Sequence, residues 1–186
     1  MKLNRNYQYI ILCEDVQMRT FILSFLDEQD IKPQKIRVRS IPCGEGCGEA
    51  YVRRELPKEV KILHATSYLK QVLVVCVDAD NHTVDERVKM LIREVEDDKK
   101  KWSRTTEPIV FWIPKRQIET WIHFFKGEAV DENNVFPHSG KRPESCKNVA
   151  NIFSEYCQGT REIDCSKVPS LIAAKDEYER VCRLQR

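Results

Sequence analysis

The feature that most constrains the fold is the apolar run at residues 71–77, QVLVVCV, which ends abruptly at Asp78-Ala79-Asp80. A nearly continuous apolar stretch of this length is typical of a strand buried on both faces in the centre of a parallel sheet. Similar runs at residues 7–13 (YQYIILC) and 109–113 (IVFWI) predict two more buried strands. Ile36 and Val38, alternating with Arg37 and Arg39, predict a fourth and less buried one.

Helical patterns separate these strands. Apolar residues at helical spacing predict a helix that ends near Asp30, and Thr83 with Glu86 forms a capping box for a helix running to about Lys100. Between them, a helix interrupted or kinked at Pro57 follows a glycine-rich loop at residues 42–48. Further helices are expected at residues 117–125, 146–156 and 170–184. This alternation predicts an α/β fold with a mainly parallel sheet flanked by helices.

Composition sets the protein class. The chain has 186 residues with 31 basic and 29 acidic side chains, a formal charge of +2, which excludes a histone-like polycation. Hydrophobic residues make up 41%, as in a folded globular protein rather than a disordered one. No apolar run approaches the roughly 20 residues that span a bilayer, and the first residues lack a signal-peptide stretch. We therefore expect a cytoplasmic protein with no membrane span.

The eight cysteines do not form a familiar zinc pattern. Cys13 and Cys76 lie inside apolar runs, where a free cysteine behaves as a small hydrophobic residue. Cys43 and Cys47 are closely spaced in the glycine-rich loop, but no second Cys/His pair completes a site. Reduced thiols are the expectation, and zinc binding by Cys43 and Cys47 stays open.

Acidic residues follow two of the predicted strands directly. Glu14-Asp15 ends the first strand, and Asp78 and Asp80 end the central one. Ligands of open parallel sheets bind at the carboxyl ends of the strands, where these carboxylates would converge if the strands are neighbours. Any single acid there is best explained as the start of a loop or a helix cap. The D-x-D combined with a glutamate instead favours an oxygen-ligand site for Mg²⁺ or Mn²⁺.

The arrangement resembles the TOPRIM domain of topoisomerases, primases and OLD-type nucleases. The residues that carry the resemblance are Ile11-Leu12-Cys13-Glu14 and Val75-Cys76-Val77-Asp78-Ala79-Asp80, within roughly the first 125 residues. In the family a glycine usually follows the glutamate, whereas Asp15 follows it here. The resemblance implies a TOPRIM-like catalytic core at residues 1–126, with residues 127–186 as a loop and helical extension packed on it.

Several residue roles follow from this resemblance. Glu14 is implied as general acid/base or metal ligand, and Asp78 and Asp80 as ligands of Mg²⁺. OLD-like enzymes add a carboxylate and a lysine from outside the core, for which Glu119 and Lys167 are the candidates, with Lys175 as the alternative lysine.

Glu45 and Glu49 are further candidate acids, although a turn is the preferred interpretation of their loop. Basic residues beside the site are candidates for nucleic-acid binding: Arg37, Arg39, Arg53, Arg54, Lys115 and Arg116.

The sequence hypothesis is a metal-dependent nuclease that cleaves DNA or RNA phosphodiesters. The small size and the resemblance imply an effector of a bacterial anti-phage defence system, controlled by a partner ATPase of the ABC or AAA class. Two alternatives remain, namely a small TOPRIM nuclease of ribosomal-RNA maturation and a catalytically degenerate interaction or sensor subunit. Whether the chain forms a homo-oligomer, and whether it is active without a trigger, is left open.

Overall fold

A parallel sheet of four strands organises the chain, seen here in a computed structural model that describes residues 1–39, 48–95, 103–135 and 146–186. The strands are β1 (Gln8–Cys13), β2 (Ile36–Val38), β3 (Gln71–Cys76) and β4 (Ile109–Trp112). Their order is β2-β1-β3-β4, and every neighbouring pair is parallel. The expected α/β fold with a parallel sheet is confirmed. Cys43, Glu45, Cys47 and most of their loop lie outside the described residues.

Six helices flank the sheet in the described ranges: α1 (Val16–Glu28), α2 (Gly48–Ala65), α3 (Val84–Val95), α4 (Ile118–Phe125), α5 (Lys147–Gln158) and α6 (Pro169–Leu184). A short 3-10 turn, Pro33–Lys35, precedes β2. The predicted helix starts are confirmed to within about two residues, while the end predicted near Lys100 lies outside the described residues. None of the helices in these ranges has the length and apolar character needed to cross a membrane.

Of the interruption or kink predicted at Pro57, the interruption is wrong, because α2 continues through this residue as one helix. Proline removes one backbone donor and crowds the preceding turn. Buried side chains from both halves of α2 pack into one core, with Val52 and Leu56 before the proline and Val60 and Leu63 after it. This continuous apolar stripe holds both halves on the sheet and compensates for the missing hydrogen bond.

The two faces of the sheet bury different sets of helices, as the period of two along a strand requires. Alternate residues of the central strands, including Ile11 and Val74, belong to a core shared with α1, α4, α5 and α6. The intervening residues, including Leu12 and Val75, pack against α2 and α3. Residues 146–186 therefore contribute to the same core as the sheet.

Aromatic rings connect the C-terminal helices to this core. Phe153 of α5 contacts the rings of Phe21, Phe25, Trp112 and Trp121 at centroid distances between 5.2 and 5.9 Å. Edge-to-face and tilted aromatic contacts at such distances are favourable beyond the area that they bury. Trp112 and Trp121 are thus packing residues, as expected, and Trp102 lies outside the described residues.

Helix α6 covers the outer edge of β4 with charged side chains. The buried Glu177 accepts a hydrogen bond from the backbone N–H of Phe111 at 3.1 Å. Arg180 donates to the carbonyl oxygen of Glu107 at 2.8 Å and to that of Ile109, and it pairs with Glu177 at 3.0 Å. Side chains of α6 therefore satisfy backbone groups that an edge strand would otherwise present to solvent.

Replacement of Glu177 by alanine should destabilise the fold. It removes the acceptor of the Phe111 amide and the carboxylate that pairs with the partly buried Arg180, so we expect the free energy of unfolding to fall by about 3 kcal/mol or more. Urea denaturation followed by circular dichroism measures the change. Glu179→Ala is the matched control, because Glu179 lies on the same helix and its ion pair among the described residues is a longer one, with Arg183 at 3.7 Å. A loss from Glu177→Ala as small as the control's would contradict this role.

Candidate functional site

Backbone pairing brings the acids at the ends of β1 and β3 together. The N–H of Glu14 donates to the carbonyl oxygen of Cys76 at 3.1 Å, which extends the ladder one residue beyond the paired Cys13 and Cys76. In return, the N–H of Asp78 donates to the Glu14 Oε2 atom at 3.1 Å. The structure therefore places the glutamate beside the first aspartate of the D-x-D, as the sequence predicts.

Asp78 is held from the other side by β4. The N–H of Ala79 donates to the carbonyl oxygen of Pro114 at 2.8 Å, which fixes the backbone directly after Asp78. The Oδ1 atom of Asp78 is buried and has no hydrogen-bond partner in the part of the chain that the structure describes. A buried carboxylate oxygen without a donor is costly, so it identifies a place that favours a proton or a cation.

Burial raises the pKa of both acids. The pKa of Asp78 lies well above its ordinary value because the carboxyl is desolvated, and the nearby charge of Glu14 raises it further. Desolvation also raises the pKa of Glu14, although the hydrogen bond from the Asp78 amide opposes part of this increase. Asp80 and Asp15 add smaller repulsive contributions to both pKa values, so excess negative charge is concentrated at this end of the sheet.

Asp15 has a structural role at the start of α1. Its backbone is extended, and its Oδ1 atom accepts a hydrogen bond from the N–H of Met18 at 2.7 Å, which makes it the N-cap of α1. The helix therefore begins two residues after Glu14, at Val16. Asp15 contributes charge to the site while its carboxylate is engaged by the backbone of α1.

Asp80 lies in a tight turn and pairs with a buried arginine. The N–H of His82 donates to the Ala79 carbonyl at 3.0 Å, and Asp80 adopts a left-handed backbone with φ of 54°, which aspartate tolerates better than most residues. Its Oδ2 atom lies 2.9 Å from Nη2 of Arg87 in α3. The Nη1 atom of the same guanidinium lies 2.8 Å from Oε1 of Glu49 in α2. The third predicted acid thus shares the guanidinium of Arg87 with Glu49.

Gly48, the first residue of α2, packs directly against Glu14. A Cβ atom at this position would lie 2.3 Å from Cγ and 2.9 Å from Oε1 of Glu14, closer than real atoms approach. The absence of a side chain therefore lets the helix start close over the glutamate. The sequence did not predict this contact, because residues 14 and 48 are far apart along the chain and no local pattern connects them.

Arg87 is the second site residue that sequence analysis missed. It lies three residues after Val84 and four before Leu91, on the face of α3 that enters the core. A charged residue inside an apolar stripe at helical spacing is a signal for a buried ion pair, because its charge must find a partner.

The predicted basic residues divide into two groups. Lys115 donates to the carbonyl oxygen of His82, and Arg116 contacts Asn81 Oδ1 at 2.6 Å, so both lie beside the turn that contains Asp80. The others lie on β2, directly after it, or on α2. Arg37 is exposed, and the other three pair with glutamates: Arg39 with Glu59, Arg53 with Glu94 and Arg54 with Glu55. Lys115 and Arg116 are therefore the basic candidates nearest to the D-x-D.

The candidate carboxylate and the candidate lysine from outside the core, Glu119 and Lys167, lie in different places. Glu119 lies in the first turn of α4, and its charge contributes to the raised pKa of Asp78. Lys167 instead lines an open cavity of about 510 Å³ whose lining does not include the acids at the strand ends. The alternative, Lys175, stacks its ammonium over the Tyr156 ring at 4.6 Å.

The donor chemistry at the strand ends fits a hard divalent cation. Glu14 and Asp78 supply carboxylate oxygens, one of them orphaned, and neither forms an ion pair with a basic side chain among the described residues. Mg²⁺ and Mn²⁺ prefer such oxygen ligands. No group of three or more His, Cys, Asp or Glu side chains in the described ranges is arranged to hold a metal ion.

Comparisons with protein-family models, curated proteins and solved structures found no match to this chain.

Replacement of Gly48 by alanine should destabilise the protein through Glu14. The added methyl group overlaps the glutamate side chain, and we expect a loss of about 1–3 kcal/mol in the free energy of unfolding. Glu14→Ala removes the three atoms nearest to the added methyl group, which are Cγ, Cδ and Oε1 of Glu14. In that background Gly48→Ala should be neutral or stabilising by up to about 1 kcal/mol, because alanine favours helix. Equal losses in both backgrounds, measured by urea denaturation, would contradict the contact.

Asp78→Asn should stabilise the protein at high pH. Since the folded-state pKa of Asp78 is raised, folding gains from its protonation below the unfolded pKa, and this gain is lost as pH rises through the folded pKa. We expect the variant to exceed the parent in melting temperature near pH 8 by about 3 °C or more, roughly 1 kcal/mol, with a smaller difference near pH 4.

The control is Asp85→Asn, because Asp85 is exposed and its ion pair with Lys89 lowers its pKa. This variant should show no stabilisation near pH 8. Thermal unfolding at both pH values tests the comparison. A melting temperature of Asp78→Asn that stays below that of the parent near pH 8 would refute the electrostatic interpretation.

Proposed function

We propose that this protein is a metal-dependent nuclease that hydrolyses phosphodiester bonds in DNA or RNA. The observation that carries the proposal is the buried and unpartnered Oδ1 atom of Asp78 beside Glu14, at the carboxyl ends of two adjacent parallel strands. This position is where α/β sheets bind their ligands. The resemblance of these strand ends to the TOPRIM pattern gives the same assignment.

Glu14 and Asp78 would hold the cation, and Glu119 at the start of α4 is a further acid whose charge acts on Asp78. A bound Mg²⁺ or Mn²⁺ supplies electrostatic stabilisation of a phosphoryl oxygen and activates water. The raised pKa of Glu14 brings this carboxyl closer to the range in which it exchanges protons at neutral pH. Glu14 is therefore suited to accept a proton from the attacking water or return one to the leaving oxygen.

Lys115 and Arg116 would contact the phosphate backbone. Both are anchored at the turn that follows the D-x-D, through His82 and Asn81 respectively. Two basic side chains beside the negatively charged strand ends would attract an anionic polymer, which the acids alone would repel. The exposed Arg37 extends the positive charge towards the β2 edge of the sheet.

The biological setting that we propose comes from the resemblance alone. Small TOPRIM nucleases of bacterial defence loci work beside ABC or AAA ATPases, and the proposed role is that of an anti-phage effector under such control. Copurification from the native host, followed by mass spectrometry, tests for this partner. Recovery of a ribosomal precursor particle instead of an ATPase would favour the RNA-maturation alternative.

Cleavage assays with a metal panel test the proposed chemistry. Plasmid DNA and a structured RNA are incubated with the purified chain in Mg²⁺, in Mn²⁺ or in EDTA, with the partner added where copurification has identified one. We expect cleavage only with a divalent cation, and a loss of about 100-fold or more in Glu14→Ala and Asp78→Ala, because each removes a group that acts on the reacting atoms.

The control for these variants is Asp85→Ala, which removes an exposed carboxylate whose ion pair in the described part of the chain is with Lys89. Its cleavage rate should match that of the parent. Cleavage in EDTA, or full activity of Asp78→Ala, would exclude the proposal. A folded protein that binds no divalent cation in titration calorimetry would instead support the degenerate interaction or sensor subunit.

A further inference from the structure

An open cavity of about 510 Å³ lies between the loop that follows α4 and the start of α6. Residues 130–133 line one side of it, and Ser166, Lys167 and Pro169 line the other. Ligand sites of about 300–1,000 Å³ hold small organic molecules, with apolar surface for packing and a few polar groups for orientation. This cavity offers both kinds of surface, because Val130 and Pro169 lie in the same lining as Lys167.

The acids in the lining are already engaged by donors of the protein. Asp131 Oδ1 accepts a hydrogen bond from the N–H of Asn133 at 2.9 Å, and its Oδ2 atom accepts one from Nδ2 of Asn134 at 2.7 Å. The buried Glu132 accepts at Oε2 from the N–H and the hydroxyl of Ser170, at 3.1 and 2.6 Å, in the first turn of α6. These donors and the positive end of the helix offset much of the negative charge.

Lys167 is the charged group of the lining that these contacts leave available. Its side chain is exposed, and in the part of the chain that the structure describes no carboxylate lies within ion-pair distance of its ammonium group. Asp164, the nearest acid along the sequence, accepts a hydrogen bond from the N–H of Ser166 at 2.9 Å. The cavity therefore presents a positive charge to an anionic ligand.

Arg116 connects the cavity lining to the D-x-D turn. Its Nε atom donates to the carbonyl oxygen of Asn133 at 3.0 Å, and its Nη1 atom donates to Oδ1 of Asn81 at 2.6 Å. Asn133 lines the cavity, and Asn81 directly follows Asp80. One guanidinium group thus spans the distance between the cavity lining and the turn beside the proposed site.

Three basic side chains lead from this turn to the cavity. Lys115 and Arg116 donate to groups of the turn, and Lys167 lines the cavity. Among the described residues none of the three pairs with a carboxylate, in contrast to Arg53 and Arg54 of α2. Basic side chains without carboxylate partners attract the successive phosphates of a polyanion. The row indicates the direction in which a nucleic-acid strand would extend away from the acids.

We propose that the cavity binds one unpaired nucleotide of a single strand, with its phosphate against Lys167 and its base against Val130 and Pro169. This inference rests on the proposed function, since it gives the substrate class for the same site. A paired base is stacked inside its duplex and enters such a cavity only after it is turned out of the stack, which costs binding free energy. A single strand binds without this cost.

Oligonucleotide binding in EDTA tests the subsite without the metal ion and without cleavage. Fluorescence anisotropy compares a labelled single strand with an abasic strand of the same length and with the corresponding duplex. We expect the intact strand to bind about 10-fold more tightly than the abasic strand, because the two carry equal charge and only the first has bases to fill the cavity. We expect a similar preference for the single strand over the duplex.

Two variants separate the phosphate contact from the base contact. Lys167→Gln should weaken the binding of the intact and the abasic strand several-fold, and it should lower the slope of log affinity against log salt by about 0.7, because one phosphate contact is lost. Ser166→Leu places an aliphatic side chain in the cavity lining and keeps every charge. It should therefore weaken binding of the intact strand by about 10-fold and leave binding of the abasic strand unchanged.

Lys61→Gln and Ser67→Leu are the matched controls, because both positions are exposed and lie in the last turns of α2 or just after it. The other end of this helix packs against Glu14, so the control positions are remote from the proposed site. Both control variants should bind all three oligonucleotides as the parent does. Circular dichroism confirms that each variant is folded, and each cavity variant provides a separate test should the other fail to fold.

The outcomes distinguish the subsite from the nuclease. Parent protein that binds no single strand, or that binds intact and abasic strands equally, would overturn the subsite, as would parent-like binding by either folded cavity variant. The nuclease proposal would stand, because metal-dependent cleavage and its loss in Asp78→Ala decide it separately. Base-dependent binding that Lys167→Gln weakens, without any metal-dependent cleavage, would instead reject the nuclease and retain the cavity as a nucleotide-binding site.

Discussion

The in-register pairing of β1 with β3 is the constraint on which the rest of the site depends. Six consecutive residue pairs, from Gln8 with Gln71 to Cys13 with Cys76, align the two strands along their full length. A slip of one residue would turn every core side chain to the opposite face, so the two hydrophobic cores enforce this alignment. The strands consequently end at the same level. Glu14 and Asp78 meet there because the pairing beneath them permits no other arrangement.

The acids at the carboxyl ends of β1 and β3 differ in the partners that the surrounding protein provides for their carboxylates. Asp15 is engaged by the N-terminus of α1 and Asp80 by Arg87, so each has a favourable partner. In the described residues, Asp78 has no partner for its buried oxygen, and Glu14 accepts a hydrogen bond from a backbone N–H. Proteins commonly sacrifice stability where function requires an unfavourable arrangement. The uneven distribution therefore separates acids that build the fold from acids that remain available for chemistry.

Local sequence patterns were sufficient to predict the strands, most helix limits and the convergence of Glu14 with Asp78. The spacing of apolar residues and the acids that directly follow a strand can both be seen within a short stretch of sequence. The capping box is one example, with the Thr83 N–H and Glu86 Oε2 2.7 Å apart. Contacts between distant segments could not be predicted, among them Gly48 on Glu14. The missed ion pairs nevertheless share a signal, because a charged residue lies inside an apolar helical stripe in three helices: Glu59, Arg87 and Glu177. Each one finds a partner in another segment.

The cover that α6 places over β4 has a consequence for how the chain tolerates truncation. The strand beneath it, IVFW, combines strong β-propensity with no charge, which is the composition of segments that template intermolecular strand addition. Glu177 and Arg180 occupy the backbone groups through which such growth would begin. A chain that ends before residue 169 would therefore do more than lose packing area. It would expose the unpaired backbone groups of β4, and association of chains through this strand edge would compete with folding. The last helix therefore also protects the chain against aggregation.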